Sequence, residues 1–182
     1  MKTLTNYIKD SQKVNEGLIS EIILKLLDAS LSWLGSASKF VADNLVNATG
    51  ELWKSAKGIT EEGWKYWADR TGVKYTHPPK NERDLAPYIN SLIDERDFDK
   101  RNKEIDNFFK DMEKNMDEQT RINMYLNIRM QSAFVTLSDP NATDEQKKAA
   151  DKILNEVASK NNILKKQIEE FRKNLKKNQP NK

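Results

Sequence analysis

The 182 residues contain no cysteine, which excludes a disulfide framework, a thiolate metal centre and a cysteine nucleophile. Glycine (6) and proline (5) are scarce and β-branched runs are nearly missing, so strands and hairpins have little to be built from. The single histidine, His77, lies in VKYTHPPK beside two prolines, away from any serine or carboxylate arranged for catalysis, and reads as an exposed linker residue. There is no Gly-rich phosphate loop, no HExxH and no GxSxG. Glu61 and Glu62 are adjacent and diverge on a helix. Asp94, Glu95, Asp97 and Asp99 lack the glycine and closing glutamate of a calcium loop and alternate with Arg96, Lys100, Arg101 and Lys103, as in a solvated, ion-paired helix or kink. The expectation is a non-enzymatic protein with no catalytic residue, cofactor or metal.

Apolar residues make up 37% of the chain against 32% charged, a ratio suited to elongated or loosely packed helices rather than one thick globule. The net charge of +3 conceals a gradient. Residues 1–80 carry 11 basic and 9 acidic groups, residues 81–140 carry 9 and 13, and residues 141–182 carry 11 and 6. An acidic middle and a basic end favour contact between copies or with an acidic partner, and leave nucleic acid only a weak electrostatic role.

Met1 to Val14 is polar throughout, so a secretory signal is not expected, and the acceptor-like Asn47-Ala48-Thr49 and Asn141-Ala142-Thr143 are read as chance. Leu18 to Leu34 is the most apolar stretch, but Glu21, Lys25, Asp28 and Ser32 form a polar stripe along it. Three charges in a segment of that length make a bilayer span costly, which leaves a buried helix, a membrane-surface helix or an oligomer gasket. From Ala42 to Lys74 an eleven-residue period aligns Leu45, Ala56 and Trp67, and Ala42, Trp53 and Trp64. Trp53, Trp64 and Trp67 on or beside that stripe read either as core packing or as an aromatic partner surface. Helix breaks are expected at Gly50, Gly58 and Gly63.

After the Pro78-Pro79 boundary, Leu85, Ile89 and Leu92 mark one apolar face, and Ile105, Phe108, Phe109, Met112 and Met116 another. Ile122, Leu126, Met130, Ala133 and Leu137 continue the pattern to a turn at Ser138-Asp139-Pro140-Asn141. Thr143 and Gln146 form a capping box that opens the cleanest periodicity in the chain. Ala150, Leu154, Val157, Asn161, Leu164, Ile168, Phe171 and Leu175 recur at alternating steps of four and three, a heptad seam with Asn161 at an a-type position. It fits either a final helix packed in its own domain or a self-associating coiled coil. The fold expected is all-α, an elongated bundle of about five to six helices with a coiled-coil-like end. Its parts are a segment 1–17, an apolar Trp-rich region 18–73, a linker 74–80 and a helical domain 81–182.

The opening, Met1-Lys2-Thr3-Leu4-Thr5-Asn6-Tyr7-Ile8 followed by Val14-Asn15-Glu16-Gly17, resembles the amino-terminal peptides of internal head proteins of T-even-type tailed phages. In that family a short amphipathic peptide directs the protein into the assembling capsid, and a prohead protease cuts after a glutamate, usually with Leu or Ile two positions before it. The resemblance implies processing between Glu16 and Gly17, with Val14 in the Leu/Ile position. Ile19-Ser20-Glu21 and Leu154-Asn155-Glu156 also carry the pattern. The function expected is therefore a phage virion-associated helical protein, in or on the head, reached from the host bacterial cytoplasm during assembly. It would act through contacts with other phage structural proteins or with itself. The alternative is a small helical effector or inhibitor directed at a host membrane or enzyme.

Overall fold

A computed structural model describes residues 21–29 and 31–178. These form eight α-helices: α1 (21–29), α2 (Ser38–Ser55), α3 (Glu61–Thr71), α4 (Glu82–Ile93), α5 (Phe98–Asp111), α6 (Glu118–Ser138), α7 (Asp144–Lys160) and α8 (Asn162–Asn178). Short 3-10 turns at Ser32–Ala37, Ala56–Gly58 and Met112–Lys114 join some of them. No strand occurs among the described residues, and one isolated antiparallel bridge ties Ile59 to Met116. The all-α class holds, with eight helices where five to six were expected.

The helices start where polar side chains can replace missing amide partners. Thr60, Asn81, Asp97, Asp117 and Thr143 each accept a backbone N–H from three residues on. Thr143 and Gln146 form the full capping box anticipated from the sequence. Each cap contributes about 0.5–2 kcal/mol. Gly72, at φ 71°, ends α3 in the left-handed conformation that glycine adopts without a Cβ penalty.

One core runs from Ile23 in α1 to Phe171 in α8, so the Trp-rich region and residues 81–182 share it. Helix α6 is its axis, packing most extensively on α7 and also on α2, α4, α5 and α8. That central place changes the reading of its apolar face. Ile122 is 42% exposed, whereas Met124, Asn127, Ile128, Gln131 and Val135 are buried alongside Leu126, Met130 and Ala133. A helix covered on several sides has no single stripe. Its buried amides find partners: Gln131 Nε2 donates to Asn127 Oδ1 at 2.7 Å, and Asn127 Nδ2 donates to the Ala48 carbonyl in α2 at 3.0 Å.

Only one of the three anticipated glycine breaks occurs. Gly50 stays inside α2 and Gly63 inside α3, while the chain leaves the helix after Gly58. The final heptad helix is also interrupted. Asn161 is extended (φ −146°, ψ 112°), and its Oδ1 accepts from the N–H groups of Ile163 and Leu164, so it closes α7 and caps α8. The two helices fold back as a hairpin.

Candidate functional site

The linker before α4 leaves His77 exposed, its Nδ1 2.8 Å from the Pro78 carbonyl. The carboxylates around it and those of the 94–99 segment do not converge. Asp97 caps α5, Glu95 pairs with Lys100, and burial raises the Asp94 carboxyl above its ordinary range. Among the described residues no cluster of three or more potential metal ligands occurs, and no helix is long and apolar enough to cross a membrane.

Two of the three tryptophans offered as a partner surface are core residues. Trp67 is fully buried and Trp64 is 4% exposed. Their rings stack at 5.5 Å and 4°, Tyr88 meets both edge-on at 5.4 Å, and Phe108 sits 4.9 Å from Trp67. Such a cluster stabilises by burial and by about 0.5–1.5 kcal/mol per aromatic pair, and it leaves no face for a partner. Trp53 is half-buried against the core.

Helix α5 is clamped on two sides by the same device. On one side Tyr66 OH donates to Asp111 Oδ2 at 2.9 Å and Arg70 pairs with the same oxygen at 2.9 Å. On the other, Tyr125 OH donates to Asp106 Oδ1 at 2.8 Å and Arg129 pairs with it at 3.1 Å. In each case a Tyr and an Arg one turn apart grip an aspartate of α5, and Phe108 or Phe109 packs under the tyrosine ring. Burial, with the bond to Asp106, pushes the Tyr125 phenol up to about 12.

Arg101 of α5, read from sequence as a solvated charge, is 1% exposed. Its Nε donates to Ser132 Oγ at 2.8 Å, Nη1 to the Glu95 carbonyl at 2.6 Å, and Nη2 to the Ser132 carbonyl at 3.2 Å and to Thr136 Oγ1. All four acceptors are neutral. Burial lowers its pKa to about 10, against the opposing fields of Asp139, Glu95 and Asp97. The fork is consumed in stapling α5 to the last turns of α6, where the helix dipole favours a cation.

Among the described residues an open cleft of about 490 Å³ lies between α5, α6 and the end of α7. Phe109, Ile122, Tyr125 and Leu126 give it an apolar floor; Lys110, Arg121 and Lys160, with Asp106 and Glu113, make a mixed rim. The exposed Ile122 is the signal for it, an apolar residue in a helical pattern that the core does not absorb.

The heptad seam is buried within the chain. Leu154, Val157, Leu164, Ile168 and Phe171 are at most 3% exposed, and Leu175 is partly buried. Phe171 stacks on Phe134 of α6 at 3.9 Å and packs on Phe40 of α2 at 5.7 Å. Arg172 Nη2 reaches Asp151 Oδ1 at 2.6 Å and Asn155 Oδ1 at 2.7 Å, tying α8 to α7. Glu16 and Gly17 lie outside the described residues. No known protein family, curated protein or solved structure matches the chain.

Proposed function

We propose that this chain is a non-enzymatic, virion-associated phage protein, packaged in or attached to the head, whose amino-terminal segment is an address separable from the helical body. The observation that carries the reading is where the opening motif falls relative to the core. Among the described residues the first core side chain is Ile23, seven positions after Glu16, so a cut after Glu16 keeps every buried residue from Ile23 to Phe171 on one chain. Of the other glutamates with Leu or Ile two positions before them, Glu21, Glu156 and Glu170 lie inside helices, Glu61 opens α3, and Glu95 follows the fully buried Ile93 with its carbonyl held by Arg101 and its carboxylate by Lys100. Glu21 is helical and pairs with Lys25 at 2.9 Å. Glu156 is inside α7, pairs with Lys160 at 2.7 Å, and follows the fully buried Leu154. A protease needs an extended segment, which a packed helix withholds.

The body would act through protein contacts, with other structural proteins of the particle or with a second copy, and the basic end adds a weak attraction to packaged nucleic acid. Intact-mass measurement on protein extracted from purified particles is the test. A chain beginning at Gly17 is expected; a chain retaining Met1, or absence of the protein from particles, overturns the packaged-and-processed reading.

A further inference from the structure

The α7–α8 hairpin turns on one residue. Asn161 alone is extended, and the α-helical ladder is already present on both sides of it. Its N–H donates to the Val157 carbonyl at 3.0 Å, and the Lys165 N–H donates to its carbonyl at 2.9 Å. The turn removes only the helical bonds of amides 162–164, and Asn161 Oδ1 replaces two of them by accepting from Ile163 and Leu164, both at 3.0 Å. Rotating this one residue into the αR region would make α7 and α8 one helix of about 35 residues, ~52 Å long.

The heptad phase runs straight through the hinge. Leu154 and Val157 before it, and Leu164, Ile168 and Phe171 after it, keep steps of three and four when counted across Asn161. A hairpin asks for no such phase, because its turn sets which face of α8 meets α7. A continuous helix does ask for it, since only a 3.5-residue repeat holds one seam on one face.

We propose that α8 exchanges between two copies of this chain. In the exchanged dimer α7 and α8 are one helix, each α8 lies in the groove that α2, α6 and α7 of the other copy form, and the two long helices run antiparallel. Every contact of the closed form is kept, now across chains: Phe171 on Phe134 and Phe40, and Arg172 on Asp151. The new surface is where the two hinges cross. There Asn161 meets its counterpart, and the two carboxamides can bond to each other, the register-fixing role of a seam asparagine. Because the same contacts close both forms, protein concentration decides between them. The dimer forms once that concentration exceeds the effective concentration of α8 for its own groove. This deepens the self-contact part of the function proposed above.

The experiment uses the full chain carrying Asp151→Cys and Arg172→Cys, in a sequence with no other cysteine, with a short bifunctional thiol linker and parallel sedimentation. In the hairpin the link closes within one chain; in the exchanged dimer it joins two. Asn161→Ala removes two hairpin caps per dimer against one carboxamide pair at the dyad, and is expected to raise the linked-dimer fraction by about fivefold at a given concentration. Three glycines inserted after Asn161 are expected to abolish it. Monomers in all variants at the highest soluble concentration overturn the exchange. Dimers whose links all lie within single chains overturn it too, while leaving self-association by another surface intact. Neither result bears on the mass of the chain in particles, so the two proposals fail separately.

Discussion

Gly58→Ala is expected to destabilise the protein by about 2–3 kcal/mol, although alanine is the better helix former. The reason is a close approach between the turn after α2 and the cap of α6. A Cβ at position 58 would lie 2.0 Å from Asp117 Oδ2 and 2.1 Å from Thr120 Oγ1. Asp117 is the N-cap of α6: its Oδ1 accepts the Thr120 N–H at 2.9 Å and its Oδ2 accepts the Thr120 hydroxyl at 2.7 Å. To reach ordinary contact the oxygens must retreat by roughly 1.4 Å, further than those bonds tolerate. Losing the cap costs about 1 kcal/mol and overpacking about 1–3, against about 0.4–1 returned by a less flexible unfolded chain. Urea unfolding followed by tryptophan fluorescence measures the difference. Gly50→Ala is the control: inside α2, its Cβ would meet nothing nearer than Glu82 Oε1 at 3.5 Å, and a gain of about 0.5–1 kcal/mol is expected. In an Asp117→Ala/Thr120→Ala background most of the Gly58→Ala penalty should vanish. A wild-type stability for Gly58→Ala, or an equal penalty in both backgrounds, would refute the argument.

Arg101→Lys is expected to cost about 3–4 kcal/mol, because one ammonium cannot reach the Glu95 carbonyl and the α6 oxygens together; Arg101→Met, which removes the buried cation, should cost less, about 1–3. Equal urea midpoints for lysine and wild type would contradict the fork reading. Phe171→Ala, emptying a fully buried site between Phe134 and Phe40, should cost about 3–5 kcal/mol and raise amide exchange in α8 before α7. The Tyr125 phenol, held at about 12 when folded against about 10 unfolded, stabilises the fold fully below pH 10. That contribution is lost as pH rises from 10 through 12, and Tyr125→Phe should flatten this part of a stability–pH curve.

Local chemistry was the most legible part of the fold. The Thr143–Gln146 box, the apolar faces of α4 and α5 and the turn after α6 depend on residues within one or two turns of each other, and the sequence displays those neighbours directly. What depended on distant neighbours was not legible. Gly50, Gly58 and Gly63 look alike in the sequence, and two of them remain in helices because packing offsets their weak propensity. Ile122 and Met124 both suit a helix, and which one the core takes depends on how many sides of α6 are covered. Arg101 was hidden for the same reason: among the eight other charged residues of DERDFDKRNKE it looks solvated, and the Ser132 and Thr136 oxygens of α6, some thirty residues on, are what let it be buried.

The two candidate interaction features show how one pattern can serve two structures. An apolar period states that residues share a face without stating what covers it. For Trp64 and Trp67 the cover is Tyr88 and Phe108 of the same chain, and the ring contacts use up the surface a partner would need. For the heptad seam the cover is again α2, α6 and α7, but here the period outlasts the element it describes, continuing in phase past the residue where the helix stops. A polar residue in such a seam lowers the stability of a continuous helix pair, and its carboxamide supplies the cap that a broken one needs. Asn161 serves both, so a leucine there would act on both forms at once, losing the cap and gaining an apolar contact at the dyad. Asn161→Leu is therefore expected to give more dimer than Asn161→Ala at equal concentration by sedimentation; a smaller dimer fraction for leucine would mean that the hinge residues do not face each other across a seam.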